Sequence, residues 1–214
     1  MDTALMPAPR SLFPRLSGAV VQFVQRYYLA LLLFVVCAIS QLEPLAGWMR
    51  YDRALIVQGE YWRWLTANFT HLGWSHYAMN MGALGLMWLM FSRRFNSGEW
   101  LFIIALASLA VSAGVQTLLP HMHWYVGLSG TLHGILLAGC WREWRYDRLF
   151  SASVAALCAF KLAYELLIGP MPGSEATAGG HVIVEAHAFG AIGGLAAALL
   201  LELSPPWRRA RFND

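Results

Sequence analysis

Two residues with reactive side chains each lie in an apolar segment of the chain, close to small residues. Ser129 lies within Gly127-Leu128-Ser129-Gly130, at the start of one apolar segment, and His187 lies within another. A hydroxyl and an imidazole held together inside a lipid bilayer are the minimal parts of a serine nucleophile and its base. The pair therefore predicts a site at which the serine attacks an amide and the histidine accepts its proton.

Glycine spacing predicts that these two segments pack closely. Two glycines follow each reactive residue on one helical face: Gly130 and Gly134 after the serine, Gly190 and Gly194 after the histidine. Small-residue faces of this kind let membrane helices approach each other. Packing one face on the other would bring the serine hydroxyl within hydrogen-bond reach of the imidazole.

A third apolar segment carries candidate donors for an oxyanion. His76 and Asn80 are four residues apart, so they share one face of a helix. Both should face the protein interior or a water cavity, because an unpaired imidazole or amide in hydrocarbon costs several kcal/mol. Each can donate a hydrogen bond to a developing oxyanion, beside the backbone N–H of Ser129. Alternatively, the two side chains only join neighbouring helices.

Other titratable residues leave open how the base is supported. His133 lies four residues after the nucleophile, so it is either an alternative base or a partner that packs on His187 and orients it. Glu185 lies two residues before His187 and points to another helical face, which favours a serine–histidine dyad over a triad. Lys161 and Glu165 are four residues apart and are expected to form a pair satisfied within their own helix.

The composition is typical of a membrane protein. Of the 214 residues 58% are hydrophobic and only 13% are charged, whereas soluble domains have about a quarter charged residues. A membrane-spanning helix needs roughly 20 apolar residues. The sequence predicts an all-α polytopic membrane protein with six such segments: 27–47, 72–92, 101–119, 127–141, 150–168 and 184–203.

Arginine placement predicts the orientation of the six segments. Eleven arginines lie on the side of the two chain ends, against three on the other side. The positive-inside rule then places both termini in the cytoplasm. A six-helix domain over 27–205 is expected between an N-terminal tail, 1–26, and a basic C-terminal tail, 206–214. The net charge of +3 indicates contact with anionic lipids and gives no reason to expect nucleic acid.

Neither a metal nor a cofactor is predicted. The cysteines, Cys37, Cys140 and Cys158, are dispersed through apolar stretches without the paired spacing of a zinc site. His121 and His123 are close in sequence but have no third ligand beside them. The predicted chemistry uses side chains alone.

The ordered set of motifs resembles the rhomboid family of intramembrane serine proteases. The motifs are Trp62-Arg63, His71, His76, Asn80, Gly127-Leu128-Ser129-Gly130, and His187 with Gly190 and Gly194. The resemblance implies that Ser129 is the nucleophile and His187 the general base. It also implies that His76 and Asn80 stabilise the oxyanion and that His71 supports them. Familiar bacterial rhomboids have a tyrosine where this chain has His133.

Several blocks are similar to the rhombosortase branch of that family: 59–66, 127–134 and 184–187. This resemblance implies substrates that are secreted or surface proteins with a C-terminal sorting tail: a Gly-Gly motif, a hydrophobic helix and basic residues. It also implies a bacterial inner membrane location, with the active site opening to the periplasm. The alternatives are a general rhomboid protease of other single-span proteins, a non-catalytic rhomboid-like protein that binds membrane helices, and a small transporter.

Overall fold

The computed structural model describes residues 18–203. The predicted C-terminal tail, 206–214, and most of the predicted N-terminal tail lie outside the described residues. The described elements follow in chain order: α1 (Gly18–Ile39), α2 (Leu45–Met49), β1 (Tyr51–Asp52), α3 (Arg53–Val57), α4 (Arg63–Thr66), a 3₁₀ turn (Ala67–Phe69), α5 (Trp74–Phe91), α6 (Ser97–Leu118), β2 (Trp124–Tyr125), α7 (Ser129–Glu143), α8 (Arg148–Leu167), α9 (Ser174–Ala178) and α10 (Val184–Leu203).

Each of the six predicted apolar segments overlaps one long helix: α1, α5, α6, α7, α8 or α10. Three of these helices, α6, α8 and α10, are long and apolar enough to cross a membrane by length and composition. Residues 18–203 are therefore mostly helical, and at least part of this helical bundle could lie within a lipid bilayer.

The boundaries predicted for the first segment, 27–47, were wrong. Helix α1 begins at Gly18 and ends at Ile39, and a separate short helix starts at Leu45. Two polar residues, Ser40 and Gln41, directly follow α1, and the Gln41 amide donates a hydrogen bond to the Cys37 carbonyl oxygen. Pro44 then precedes α2, and a proline cannot continue a helix because it lacks the N–H and clashes with the preceding turn.

Local capping explains where several helices start. The Asn96 side chain accepts a hydrogen bond from the Glu99 N–H, and the Glu99 carboxylate accepts one from the Asn96 N–H, which forms a capping box for α6. Asp147 accepts from the Phe150 N–H at the start of α8. Helix α7 differs, because Ser129 is its first residue and no side chain caps it. The serine hydroxyl is therefore not used to cap its own helix.

Helices α7 and α10 pack through their glycine faces at the centre of the bundle. A Cβ atom added at Gly130 would lie 2.6 Å from the Ala186 carbonyl oxygen, and one at Gly134 would lie 2.5 Å from the Gly190 carbonyl oxygen. A Cβ atom on either Gly190 or Gly194 would clash with the backbone of α7. This close approach is the packing that the glycine spacing predicts.

The segment between α1 and α5 is tied to the loop that leads into α7. Strand β1 pairs with β2 in antiparallel register, with Tyr51 opposite Tyr125. The Arg53 guanidinium donates to the carbonyl oxygens of four residues at and beyond the end of α6: Val115, Gln116, Leu119 and Met122. These contacts fix the part of the chain that leads to Ser129. The sequence does not reveal them, because strands of two residues have no recognisable pattern.

Candidate active site

The Ser129 hydroxyl and the His187 ring meet at one end of the α7–α10 pair. Their Oγ and Nε2 atoms are 3.0 Å apart, which is hydrogen-bond distance. His187 is only 4% exposed, and Ser129 is half-buried. The contact depends on the glycine packing, because Gly130 directly follows the serine and lies against Ala186, the residue before the histidine.

A carboxylate lies against the other nitrogen of the same ring. Glu165 Oε2 is 2.8 Å from His187 Nδ1, and Glu165 Oε1 is 2.6 Å from Lys161 Nζ. The expected Lys161–Glu165 pair is therefore present, yet the pair is not satisfied within α8 alone. Glu185, the carboxylate nearest to His187 in sequence, is not the one in contact with its ring, and no sequence pattern connects Glu165 with the histidine. The spacing of 22 residues between them carries no signal.

The position of the ring nitrogens decides the tautomer. A carboxylate accepts hydrogen bonds, so His187 Nδ1 carries the proton that it donates to Glu165. His187 Nε2 is then the acceptor for the Ser129 hydroxyl proton. This is the arrangement in which an imidazole acts as a general base toward a serine.

His133 lies on the face of the His187 ring and not between that ring and Ser129. Its ring stacks on the His187 ring, with centroids 4.4 Å apart and an angle of 22° between the planes. Its Nδ1 atom is 2.7 Å from the Ser129 carbonyl oxygen and donates to it. Of the two alternatives left open for His133, the geometry favours the partner that orients His187.

His76, the first candidate oxyanion donor, lies beside the start of α7. His76 Nδ1 accepts a hydrogen bond from the Leu72 N–H at 3.3 Å, so the proton of a neutral ring is on Nε2. That edge of the ring lies beside Gly127, where an added Cβ atom would be 3.1 Å from Cε1. Gly127 has a φ of +138°, which disfavours any side chain there.

Asn80 is the second candidate donor. It is 3% exposed, and within the described residues its Nδ2 atom has no hydrogen-bond partner. Buried amide groups are almost always paired, so this Nδ2 atom is a donor that an incoming acceptor could satisfy. A substrate oxyanion beside Ser129 would be such an acceptor.

His71 supports His76 rather than the reacting pair. The two rings meet edge to face with centroids 5.1 Å apart, and the Gln41 amide donates to His71 Nδ1 at 3.2 Å. Burial, together with the neighbouring His76 ring, lowers the pKa of His71 to about 3. His71 is therefore neutral at physiological pH and holds His76 without adding charge.

Trp62 and Arg63 stabilise the segment between α1 and α5. The Arg63 guanidinium donates to the Gly47 and Arg50 carbonyl oxygens and pairs with Glu60. The Trp62 ring stacks on Trp48 with centroids 5.2 Å apart. Across residues 18–203, no hydrogen bond joins either residue to the Ser129–His187 pair.

One group of residues has atoms close enough to consider for metal binding. Ligand atoms of His133, Glu165 and His187 lie within 4.8 Å of one another. The two rings are nearly parallel, so their nitrogen lone pairs do not converge on a common point as tetrahedral ligands must. Glu165 is also occupied by hydrogen bonds to Lys161 and to the His187 ring. The arrangement fits a stacked, hydrogen-bonded base better than a metal centre.

A cavity of about 440 Å³ is formed by residues that precede Ser129 and His187 in the chain. It lies between the loop that leads into α7 and the loop that leads into α10. Its lining residues are Leu72, Met122, Trp124, Tyr125, Val126, Gly179, Gly180, His181 and Ile183. Val126, one of these lining residues, is three residues before Ser129 in the chain.

Comparison with known proteins identifies the family. A model described as the rhomboid domain matches residues 58–203, which is more than half of the chain. The chain belongs to the rhomboid family. Rhomboids are integral membrane proteins and are generally serine intramembrane proteases. Rhomboid protease GluP of Bacillus subtilis (strain 168) is 33% identical over 94 residues, which cover 44% of this chain and 18% of that protein.

Asn80→Ala tests the oxyanion assignment in this rhomboid. We expect kcat to fall about 10²–10³-fold with little change in KM, because the lost donor acts on charge that develops in the transition state. Initial rates in proteoliposomes over a range of substrate concentrations would measure both constants. Met79→Ala, on the adjacent and exposed position of α5, is the control. A normal kcat for Asn80→Ala would assign the amide to helix packing.

Proposed function

We propose that this rhomboid is an intramembrane serine endopeptidase in which Ser129 is the nucleophile and His187 the general base. The observation that carries the proposal is the 3.0 Å contact between Ser129 Oγ and His187 Nε2 at a buried ring. Family membership supports it, since rhomboids are generally proteases of this class. A non-catalytic helix-binding role would not require a paired hydroxyl and imidazole.

The geometry supports a two-step acyl transfer. His187 Nε2 takes the Ser129 proton while Oγ bonds to the scissile carbonyl carbon, and the backbone N–H of Ser129 with His76 and Asn80 stabilises the oxyanion. The imidazolium gives its proton to the leaving amine as the C–N bond breaks. A water molecule then attacks the acyl group, passing its proton through His187 back to the Ser129 oxygen. This sequence uses no cofactor.

We place the site in a six-span domain with both termini in the cytoplasm of a bacterial cell. The arginine asymmetry supports this orientation, because basic residues favour the cytoplasmic side. Ser129 and His187 begin or nearly begin helices whose other ends lie toward the arginine-rich side. The site then opens toward the periplasm, where exported substrates arrive.

For the substrate we propose secreted or surface proteins that end in a rhombosortase-type sorting tail. The tail consists of a Gly-Gly motif, one hydrophobic helix and basic residues. A lateral approach between α5 and α8 is favoured, since these two helices share few contacts. The glycines would let the top of the tail helix unwind into the cavity, because each destabilises a helix by about 1 kcal/mol relative to alanine.

A matched pair of reporter tails tests this substrate class. One secreted reporter carries Gly-Gly before an apolar helix and arginines, and the other carries Leu-Leu at the same positions. We expect release of the first into the medium only in cells that contain the protein. Release of the second should be at least about tenfold slower, because its helix resists unwinding.

The outcomes separate the alternatives. Alkaline extraction of uncleaved reporter shows that both tails insert equally. Equal cleavage of both tails would favour a general rhomboid protease of single-span proteins. If neither tail is cleaved, and a general rhomboid substrate is also left intact by folded protein, the helix-binding function would replace the protease.

A further inference from the structure

Glu165 is a buried carboxylate that the serine–histidine mechanism does not use. It lies near the end of α8, and its side chain is 1% exposed. One oxygen contacts Lys161 on the same helix, and the other contacts His187 on α10. Both oxygens are therefore occupied by donors, one charged and one from the base.

Burial of the Glu165 carboxylate costs enough free energy to require an explanation. Ionisable residues inside membrane proteins are rare, and those present face the interior and pair with other groups. Lys161 alone would satisfy the charge of Glu165, and its own side chain is 36% exposed, so that pair could sit at the surface of α8. The contact with a 6%-exposed His187 ring on another helix is not needed for charge pairing.

We propose that Glu165 is a positioning residue for His187, a role that rests on the protease function proposed above. Its Oε2 atom accepts the Nδ1 proton, which leaves Nε2 free to accept from Ser129. A negative charge 2.8 Å from Nδ1 also stabilises the imidazolium that forms when His187 takes the serine proton. Lys161 holds the carboxylate ionised and in place.

The base is then held from two directions. Glu165 fixes the edge of the ring, and His133 covers its face at a centroid distance of 4.4 Å. The reacting pair comes from α7 and α10, while the positioning group comes from α8. Helix α8 is less buried than α6 or α10: 17% of its most apolar stretch is buried, against 44% for each of the other two helices. Catalysis consequently requires α8 to remain docked on α10.

Glu165→Gln tests the proposal. The amide keeps the shape of the side chain but loses its charge, and its NH₂ group can donate to Nδ1 and move the ring proton to Nε2. That tautomer cannot accept the Ser129 proton. We expect kcat to fall at least about 100-fold while KM stays within about threefold, as for carboxylates that orient a catalytic histidine.

Glu185→Gln is the matched control, because it makes the same chemical change beside His187 in sequence but on another helical face. We expect it to keep the rate of the natural protein. The rate constant for covalent labelling of Ser129 by a fluorophosphonate should follow the same order. Equal kcat values for Glu165→Gln and Glu185→Gln would overturn the positioning role.

A double variant separates positioning from simple charge burial. In Lys161→Met with Glu165→Gln neither helix residue is charged, so no unpaired ammonium remains in α8. We expect this variant to be as slow as Glu165→Gln alone and to unfold at a temperature close to that of the natural protein. Recovery of kcat in the double variant would overturn the proposal, because the single variant would then suffer only from the unpaired lysine.

Failure of the underlying function looks different. If the natural protein neither cleaves the reporter nor labels with fluorophosphonate at Ser129, the protease function itself is wrong. If it does both and Glu165→Gln does so equally well, the protease function stands and only the role of Glu165 is lost.

Discussion

Ser129→Ala is expected to lower kcat for tail cleavage by at least about 10⁴-fold and to abolish fluorophosphonate labelling. The reason is chemical, because alanine cannot form the acyl-enzyme bond. The fold should be unaffected, since the hydroxyl caps no helix and its hydrogen-bond partner among residues 18–203 is the His187 ring. Cleavage of the reporter and labelling of purified protein, read by gel and mass spectrometry, measure the two effects.

His187→Ala should reach the same residual rate, and the double variant should be no slower than either single one. Residues that act as a unit are non-additive in this way, because losing one member already disables the other. Ser153→Ala, which changes an exposed serine on α8, is the control for substitution itself. Persistent labelling of Ser129→Ala would show that another residue is the nucleophile.

Much of the helical framework could be predicted from the sequence because lipid imposes a simple rule. A spanning helix must be apolar over most of its length, so a composition window finds it. The same rule extended the first predicted helix beyond α1 to residue 47, because most of residues 40–47 are apolar or small. The end of α1 depends instead on Gln41 bonding to the Cys37 carbonyl oxygen and on Pro44.

The contact between Ser129 and His187 was predictable for a related reason. Ser129 and His187 are each followed by glycines at helical spacing, and small residues mark where membrane helices touch. The burial of His76 and Asn80 was also predictable, because polar side chains at i and i+4 need a shared interior environment. In each case the signal lies within one segment of the chain.

The contact between Glu165 and His187 could not be predicted in this way. Glu165 has a local partner in Lys161, so its charge has a sufficient explanation within α8. Its second contact depends on the rotation of α8 about its axis relative to α10, which is set by packing across the bundle. The pairing of β1 with β2 was missed similarly, because two-residue strands have no periodicity.

Gly190→Ala is expected to separate α7 from α10 and to lower kcat by at least about 100-fold. A Cβ atom at Gly190 would clash with the Gly130 carbonyl oxygen, which is backbone and cannot rotate away. The helices must therefore move apart, and a shift of about 1 Å in a reacting group can cost 10²-fold in rate. Overpacking of this kind also destabilises a protein by about 1–3 kcal/mol.

Gly82→Ala is the matched control for this change. Gly82 is an exposed glycine within α5, and a Cβ atom there would have nothing within 4 Å. The same substitution should therefore leave kcat unchanged and raise the unfolding temperature slightly, because alanine favours the helix by about 1 kcal/mol. Opposite shifts in unfolding temperature for the two variants would attribute the loss to the α7–α10 contact. If Gly190→Ala matched Gly82→Ala in both kcat and stability, the hydrogen bond between Ser129 and His187 would not depend on this glycine packing.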